Sequence, residues 1–212
     1  MSLFNQDTIQ RLDKRIATKI DDGDLIVELS PIIKNNLKFA PRHYQEEAFT
    51  HFNYYINNPR LRAKPTQVLF HMATGSGKTL VMAGTMLELY KRGYRNFIFF
   101  VNTDTIIRKT KENFLNPNST KYLFKEQINI DGVNVNITEV ESFESTNTDD
   151  INILFSTIQG LHTKLNAPRE NSITFDDFLN KEVVLISDEA HHINTLTKKK
   201  LSKGEKENFN TF

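Results

Sequence analysis

The chain has 212 residues, of which 38% are hydrophobic and 25% are charged, and its formal net charge is +1. This composition is ordinary for a globular protein with room for one large domain, and the charge excludes a global basic field for nucleic acid. No apolar run approaches the roughly 18 residues of a membrane span, and the N-terminus lacks a signal-peptide pattern, so we expect a cytoplasmic protein without a membrane segment. The absence of cysteine excludes disulfides and thiolate metal sites.

Two helices are predicted before the first motif. One passes through residues 9–20, where leucine and isoleucine recur at helical spacing, within a region, 1–38, to which the sequence assigns no function. The other has the aromatic residues Tyr44, Phe52 and Tyr55 on one face. It precedes the first motif strand.

A glycine-rich loop follows the apolar run 67–70, which predicts a strand, and precedes a helical pattern. Gly75 and Gly77 leave the backbone free to approach phosphate oxygens, and the start of the following helix favours an anion. Lys78 supplies a point charge for the β and γ phosphates, and Thr79 offers a hydroxyl to Mg²⁺. The residues of this loop predicted to bind ATP are Thr74, Gly75, Ser76, Gly77, Lys78 and Thr79. An exposed flexible turn is the alternative for such a loop taken alone.

A second motif, Asp188-Glu189, follows the apolar run 183–186, which predicts another buried strand. Asp188 is suited to hold Mg²⁺ through water, and Glu189 is suited to polarise the attacking water as a general base. A solvated acidic turn does not require four apolar residues before it, so these acids and Lys78 predict Mg²⁺-dependent ATP hydrolysis. The histidine pair that follows is not expected to bind zinc, because helix neighbours diverge by roughly 100°. A coupling or packing role is expected for His191.

The rest of the chain alternates strands and helices. Apolar runs at 97–101 and 151–155 predict buried strands, each followed by a helical or irregular connection. Between them, residues 128–137 alternate apolar and polar side chains around Asp131-Gly132, which predicts a surface hairpin insertion. The polar segment 141–150 predicts an exposed loop. We therefore expect an α/β fold with a mostly parallel sheet flanked by helices and with ligands at the carboxyl ends of its strands.

The two motifs together resemble those of the first motor domain of superfamily 2 helicases and translocases, a RecA-like P-loop NTPase domain. Met72 stands where the general phosphate-loop pattern has glycine, and in that family another residue is common there. The resemblance implies that Gln45 contacts the adenine base, although an ordinary amphipathic helix start would show the same pattern. It also implies contacts with nucleic acid by Asn102, Thr103, Arg108, Lys109, Thr157 and Gln159. A solvated basic helix face is the alternative for Arg108 and Lys109.

Finer features are most similar to restriction subunits of type III restriction enzymes. These features are the segment 188–192, the hairpin insertion, and the approach 149–153 to the Thr157 region. The resemblance implies ATP hydrolysis that drives movement or switching on double-stranded DNA, with a modification (methyltransferase) subunit as partner. The motor of a type I restriction enzyme and a DNA-repair helicase are alternatives. A nucleotide-dependent interaction module or inactive remnant without hydrolysis is an alternative from another class.

Residues 39–194 are expected to form a partial RecA-like ATP-binding domain, and the lysine-rich residues 195–212 a flexible tail, with DNA contact as the alternative. In the superfamily, a second domain contributes arginine fingers, which are worth about 10³ to 10⁵ in turnover. We expect the chain to be a fragment or truncated gene product that lacks this domain and has an incomplete sheet. Alone, it is expected to bind Mg²⁺-ATP weakly and to hydrolyse it very slowly.

Overall fold

The computed structural model describes residues 6–144, 146–167 and 172–188. These residues form two compact units, one within 1–91 and 123–130 (unit 1) and one within 92–122 and 131–212 (unit 2). The described elements in chain order are α1 (Gln6–Asp21), α2 (Pro31–Asn36), α3 (His43–Asn57), α4 (Lys78–Lys91), β1 (Asn96–Val101), α5 (Asp104–Leu115), β2 (Ile128–Ile130), β3 (Val133–Val135), β4 (Ile137–Glu139), β5 (Ile151–Thr157), α6 (Ile158–Asn166), α7 (Phe175–Asn180) and β6 (Val183–Ser187). None of the described helices combines the length and the apolar character that a bilayer crossing requires.

Unit 1 is helical, and α4 lies at its centre. The apolar face of α4, with Leu80, Ala83 and Leu87, is buried. Flanking residues such as Val81 and Met86 are buried too, so this helix is enclosed on most sides. Gly84 permits a close approach of α3, because a Cβ there would lie 2.5 Å from the Phe49 ring. Ser30 begins α2 and accepts a hydrogen bond from the Ile33 amide, as an N-cap residue does.

A buried asparagine joins α2 to β2 within unit 1. The Asn36 side-chain nitrogen donates to the Asn129 carbonyl at 3.0 Å, and its Oδ1 accepts from the Asn129 amide at 2.8 Å. Asn36 is 2% exposed, so both bonds are shielded from water. The amide side chain thus makes the two hydrogen bonds that a residue of a neighbouring strand would make.

Unit 2 contains a four-stranded parallel sheet in the order β4-β5-β1-β6. The central strands β1 and β5 are buried along most of their length, as expected for parallel strands covered on both faces. Ile98 of β1 and Leu154 of β5 pack with Phe143 and Ile173 in a buried cluster. The strands predicted at 97–101, 151–155 and 183–186 and the mostly parallel sheet are confirmed. The predicted burial of the last of these strands is wrong, because β6 lies at the edge of the described sheet and Leu185 is 53% exposed.

The strand predicted before the phosphate loop is wrong. Residues 67–70 form no strand, because among the described residues none pairs with them, and Leu69 remains 56% exposed. An extended segment without a partner leaves its backbone groups to water and forms no ladder. The phosphate loop is instead preceded by an irregular segment in which Phe70 contacts Phe52, with ring centroids 6.1 Å apart.

The hairpin differs in extent from the prediction. β2 and β3 turn at Asp131 and Gly132, whose positive φ values of 51° and 86° are those of a tight hairpin turn. Ile137, which the alternating pattern included in the hairpin, belongs to β4 and pairs with β5 in the parallel sheet. The hairpin is also not wholly superficial, because Ile128 and Ile130 are buried. Side chains on alternate positions face the interior there, as on any half-buried strand.

Candidate functional site

The glycine-rich loop adopts a conformation that exposes backbone amides. Gly75 and Gly77 have φ values of 77° and 79°, in the left-handed region that favours glycine. Where residues with left-handed backbone angles alternate with residues with right-handed ones, successive N–H groups turn toward one side and form an anion-binding concavity. The loop leads directly into α4 at Lys78, so the positive end of the helix dipole lies at the same place.

The Lys78 side chain lies over the loop that contains it. Its ammonium donates to the Ala73 carbonyl at 3.1 Å and to the Met72 carbonyl at 3.4 Å. Thr79 lies in the first turn of α4, while Thr74 is exposed in the loop. The cation and the hydroxyl are therefore both at the helix start, where the sequence analysis expected phosphate and Mg²⁺ to bind.

Gln45 contacts this loop directly, although 31 residues separate it from Ser76. Its side chain is 3% exposed, and its Oε1 accepts from the Arg42 amide at 2.8 Å. Its Nε2 donates to the Ser76 carbonyl at 2.9 Å and more weakly to the Gly77 carbonyl at 3.4 Å. The structure thus brings together the predicted adenine contact and the predicted phosphate loop.

A cavity of about 320 Å³ lies beside these residues, entirely within unit 1. Residues of the phosphate loop and Gln45 contribute to its lining together with apolar side chains. Its lining residues are Phe39, Ala40, Arg42, Gln45, Gly75, Ser76, Gly77, Leu80 and Leu123. An apolar pocket with a few convergent polar groups is typical of a site for a flat organic ring.

In unit 2, three predicted residues follow strands at the same edge of the sheet. The register pairs Phe100 of β1 with Ser156 of β5 and with Ser187 of β6. Thr157 comes directly after Ser156, Asp188 comes directly after Ser187, and Asn102 lies two residues after Phe100. All three therefore lie at the carboxyl edge, where parallel sheets bind ligands.

The side chains around this edge differ in the hydrogen bonds that they make. The Thr157 hydroxyl accepts from the Gly160 amide at 3.0 Å and so caps α6. Thr157 therefore has a structural role in addition to the predicted contact with nucleic acid. Asn102 Oδ1 is buried and has no hydrogen-bond partner among the described residues. Thr103 begins α5 without a capping bond from its side chain. Arg108, Lys109 and Gln159 are exposed.

The residues predicted to take part in hydrolysis do not all belong to one unit. Lys78 and Thr79 belong to unit 1, and Asp188 belongs to unit 2. Glu189 and His191 lie outside the described residues, so their predicted roles as general base and coupling residue stay predictions.

Tyr44 contacts the phosphate loop in a way that its sequence pattern does not predict. Its pattern placed Tyr44 on an apolar helix face, yet the side chain is 39% exposed, and its hydroxyl donates to the Ser76 carbonyl at 2.9 Å. Periodicity could not show this, because a tyrosine contributes equally to an apolar stripe and to a hydrogen bond. Leu123 of the cavity was also missed, and no local signal connects it with the loop.

Comparison with known proteins agrees with the motifs. The family model described as "Type III restriction enzyme, res subunit" matches residues 38–211. A curated protein of Haemophilus influenzae strain Rd, the "Probable type III restriction-modification enzyme HindVIP Res subunit", is 38% identical over 178 residues. The alignment covers 81% of this chain and 34% of the relative, so the chain spans about a third of the relative's length. No solved structure matches the chain.

Proposed function

Because the chain belongs to the family of type III restriction enzyme res subunits, we propose that it forms the ATP-binding part of a DNA motor of that class. ATP hydrolysis would drive movement or switching on double-stranded DNA, with a methyltransferase (modification) subunit as partner and in the cytoplasm. The observation that supports this most directly is the contact of Gln45 with the phosphate loop beside a cavity of about 320 Å³.

The cavity suits an adenine ring. Gln45 uses one lone pair of Oε1 for the Arg42 amide and retains a second, which can accept from the exocyclic amine of adenine. Guanine has a carbonyl at the corresponding position, which would leave that acceptor facing another acceptor. Phe39, Leu80 and Leu123 supply apolar surface for the ring faces.

The phosphates would then lie on the loop and the helix start. Amides around Gly75 and Gly77 would donate to phosphate oxygens. The Lys78 ammonium would leave the Met72 and Ala73 carbonyls and bind the phosphate instead, because hydrogen bonds to a charged acceptor are stronger. The Thr79 hydroxyl and the Asp188 carboxylate are hard oxygen ligands that fit Mg²⁺. When bound, Mg²⁺ neutralises charge on the transferring phosphoryl group.

Hydrolysis is assigned to the second motif. We propose that Asp188 holds the metal through water and that Glu189 accepts the proton of the attacking water. The position of Asp188 at the carboxyl edge of the sheet supports this assignment.

The DNA backbone is proposed to contact the same edge of unit 2. Asn102 follows β1 directly, and Thr103 precedes a twelve-residue helix with a hydroxyl that makes no capping bond and can donate to a phosphate oxygen. Arg108 and Lys109 add exposed positive charge on that helix. Gln159 on α6 and Thr157, the residue that caps this helix, complete the proposed phosphate contacts.

Nucleotide titration with a fluorescent ATP analogue tests the site. Lys78→Ala should abolish binding, whereas Lys91→Ala, at the exposed far end of the same helix, should not. Glu189→Gln should retain binding and lose hydrolysis, measured in the intact gene product. Equal affinity of Lys78→Ala and the parent chain would contradict the proposal, and binding without hydrolysis by the intact gene product would favour a non-hydrolysing module.

The DNA assignment has its own experiment. The double variant Arg108→Ala with Lys109→Ala should weaken binding to any duplex sequence and reduce the salt dependence of binding by up to about two phosphate contacts. The matched control is Arg60→Ala with Lys64→Ala, which removes the same charge from an exposed loop of unit 1. Equal losses in both double variants would show that only net charge matters.

A further inference from the structure

One carbonyl oxygen of the phosphate loop accepts two hydrogen bonds from neighbouring residues of α3. The Tyr44 hydroxyl and the Gln45 amide each donate to the Ser76 oxygen at 2.9 Å. A carbonyl oxygen has two lone pairs, so this group is fully satisfied from outside its own loop. Both donors come from the first turn of α3, which begins at His43.

The position of Tyr44 is not explained by burial. Phe52 and Tyr55 on the same helix are 4% and 8% exposed, whereas Tyr44 is 39% exposed. Its oxygen also accepts from Arg42 Nη1 at 3.2 Å, so the hydroxyl is one link in a chain from a cavity-lining guanidinium to the loop. A donor that is itself a charge-assisted acceptor makes a stronger bond to its own partner.

The loop needs such an external contact because of its sequence. Ser76 lies between two glycines with positive φ, and glycine restricts the backbone least of all residues. Without contacts from outside, the amides that are proposed to donate to phosphate would occupy many orientations. Fixing the Ser76 peptide fixes the orientation of the Gly77 amide, which shares that peptide plane.

We propose that Tyr44 is a positioning residue that holds the phosphate loop in its phosphate-binding conformation through the Ser76 carbonyl. The inference rests on the proposed function of the loop. It assigns Tyr44 and Gln45 different tasks, although they are adjacent and share an acceptor. Gln45 contacts the base and the loop, whereas Tyr44 acts on the loop alone.

This division predicts which part of a nucleotide each residue affects. The loop amides bind phosphates beyond the first, so removing the Tyr44 hydroxyl should weaken ADP more than AMP. The preference for ADP over GDP should be unchanged, because the Gln45 amide is retained. A merely structural role would weaken all nucleotides together.

The experiment compares Tyr44→Phe with Tyr54→Phe, which removes a hydroxyl from the same helix, by displacement of fluorescent ADP from the 212-residue chain. Tyr44→Phe should weaken ADP by about threefold to tenfold, as for loss of one hydrogen bond, and should change AMP by less than about twofold. Tyr54→Phe should resemble the parent chain. The thermal unfolding midpoint without nucleotide should be similar in all three proteins.

Two results would overturn the inference. One is unchanged ADP affinity in Tyr44→Phe, and the other is an equal loss of ADP and AMP affinity. Lys78→Ala separates these failures from failure of the proposed function. If the parent chain and Lys78→Ala bind fluorescent ADP equally, the assignment of the phosphate site is wrong, and the proposed role of Tyr44 is wrong as well.

Discussion

Gly77 and Gln45 are in direct contact, since a Cβ added to Gly77 would lie 2.6 Å from Gln45 Nε2. Gly75 has nearly the same backbone angle, but open space surrounds the position of its Cβ. The two glycines therefore separate two effects of an added methyl group. One is backbone strain, which both share, and the other is displacement of the Gln45 amide, which belongs to Gly77.

Gly77→Ala is expected to impair base selectivity, whereas Gly75→Ala is not. The methyl group at position 77 would push the Gln45 amide away from the Ser76 carbonyl. The preference for ADP over GDP should therefore fall, and Gln45→Ala is expected to lower it in the same way. Both glycine variants should lose about 1 to 2 kcal/mol of stability through left-handed strain. Competition titrations with ADP and GDP measure the selectivity, and an equal preference in the two variants would contradict the contact.

Most strands of the sheet could be predicted from the sequence, but the contacts that hold the phosphate loop could not. β1 and β5 were predictable because a parallel strand covered on both faces is an uninterrupted apolar run. The run 67–70 has the same local character, yet a strand also requires a partner, and a partner is a property of distant sequence. Tyr44 was assigned to an apolar face for a similar reason, because its hydroxyl partner lies 32 residues away.

Gly84→Ala should destabilise unit 1 even though alanine favours helices. The added Cβ would lie 2.5 Å from the ring of Phe49, a fully buried side chain that cannot retreat to solvent. Overpacking of this kind costs about 1 to 3 kcal/mol, which exceeds the roughly 1 kcal/mol that alanine gains in helix propensity. Urea unfolding measures the change. Phe49→Leu should cost less in the Gly84→Ala background than in the parent chain, and strict additivity would argue against the contact.

Ser30→Ala should destabilise unit 1 through two lost interactions. The Ser30 oxygen accepts from the Ile33 amide at the start of α2, and its hydroxyl donates to Glu88, which is 3% exposed on α4. Loss of the cap and of a bond to a buried carboxyl group should together cost about 2 to 4 kcal/mol. Thr103→Ala is the control, since Thr103 begins α5 without a capping bond from its side chain. Similar urea midpoints for the two variants would contradict this account.

Stability should decrease in alkali because of Tyr122. Burial raises the pKa of this phenol above its usual value of 10.0, since the charged form loses hydration in the folded state. The stabilisation is fully present below the pKa of the unfolded chain and is lost as the pH rises toward the higher folded pKa. Tyr122→Phe should reduce the fall of the urea midpoint between about pH 8 and about pH 10.5. Identical falls in parent and variant would exclude this tyrosine as the cause.

The two bonds between Asn36 and Asn129 also protect β2 against association. An edge strand ordinarily presents free donors and acceptors to which a strand of another molecule can add. Here a helix residue occupies that position with a side chain that cannot extend the ladder, so the sheet is terminated at Asn129. The same amide that attaches β2 to α2 therefore occupies the donor and the acceptor at which a strand of another molecule would pair.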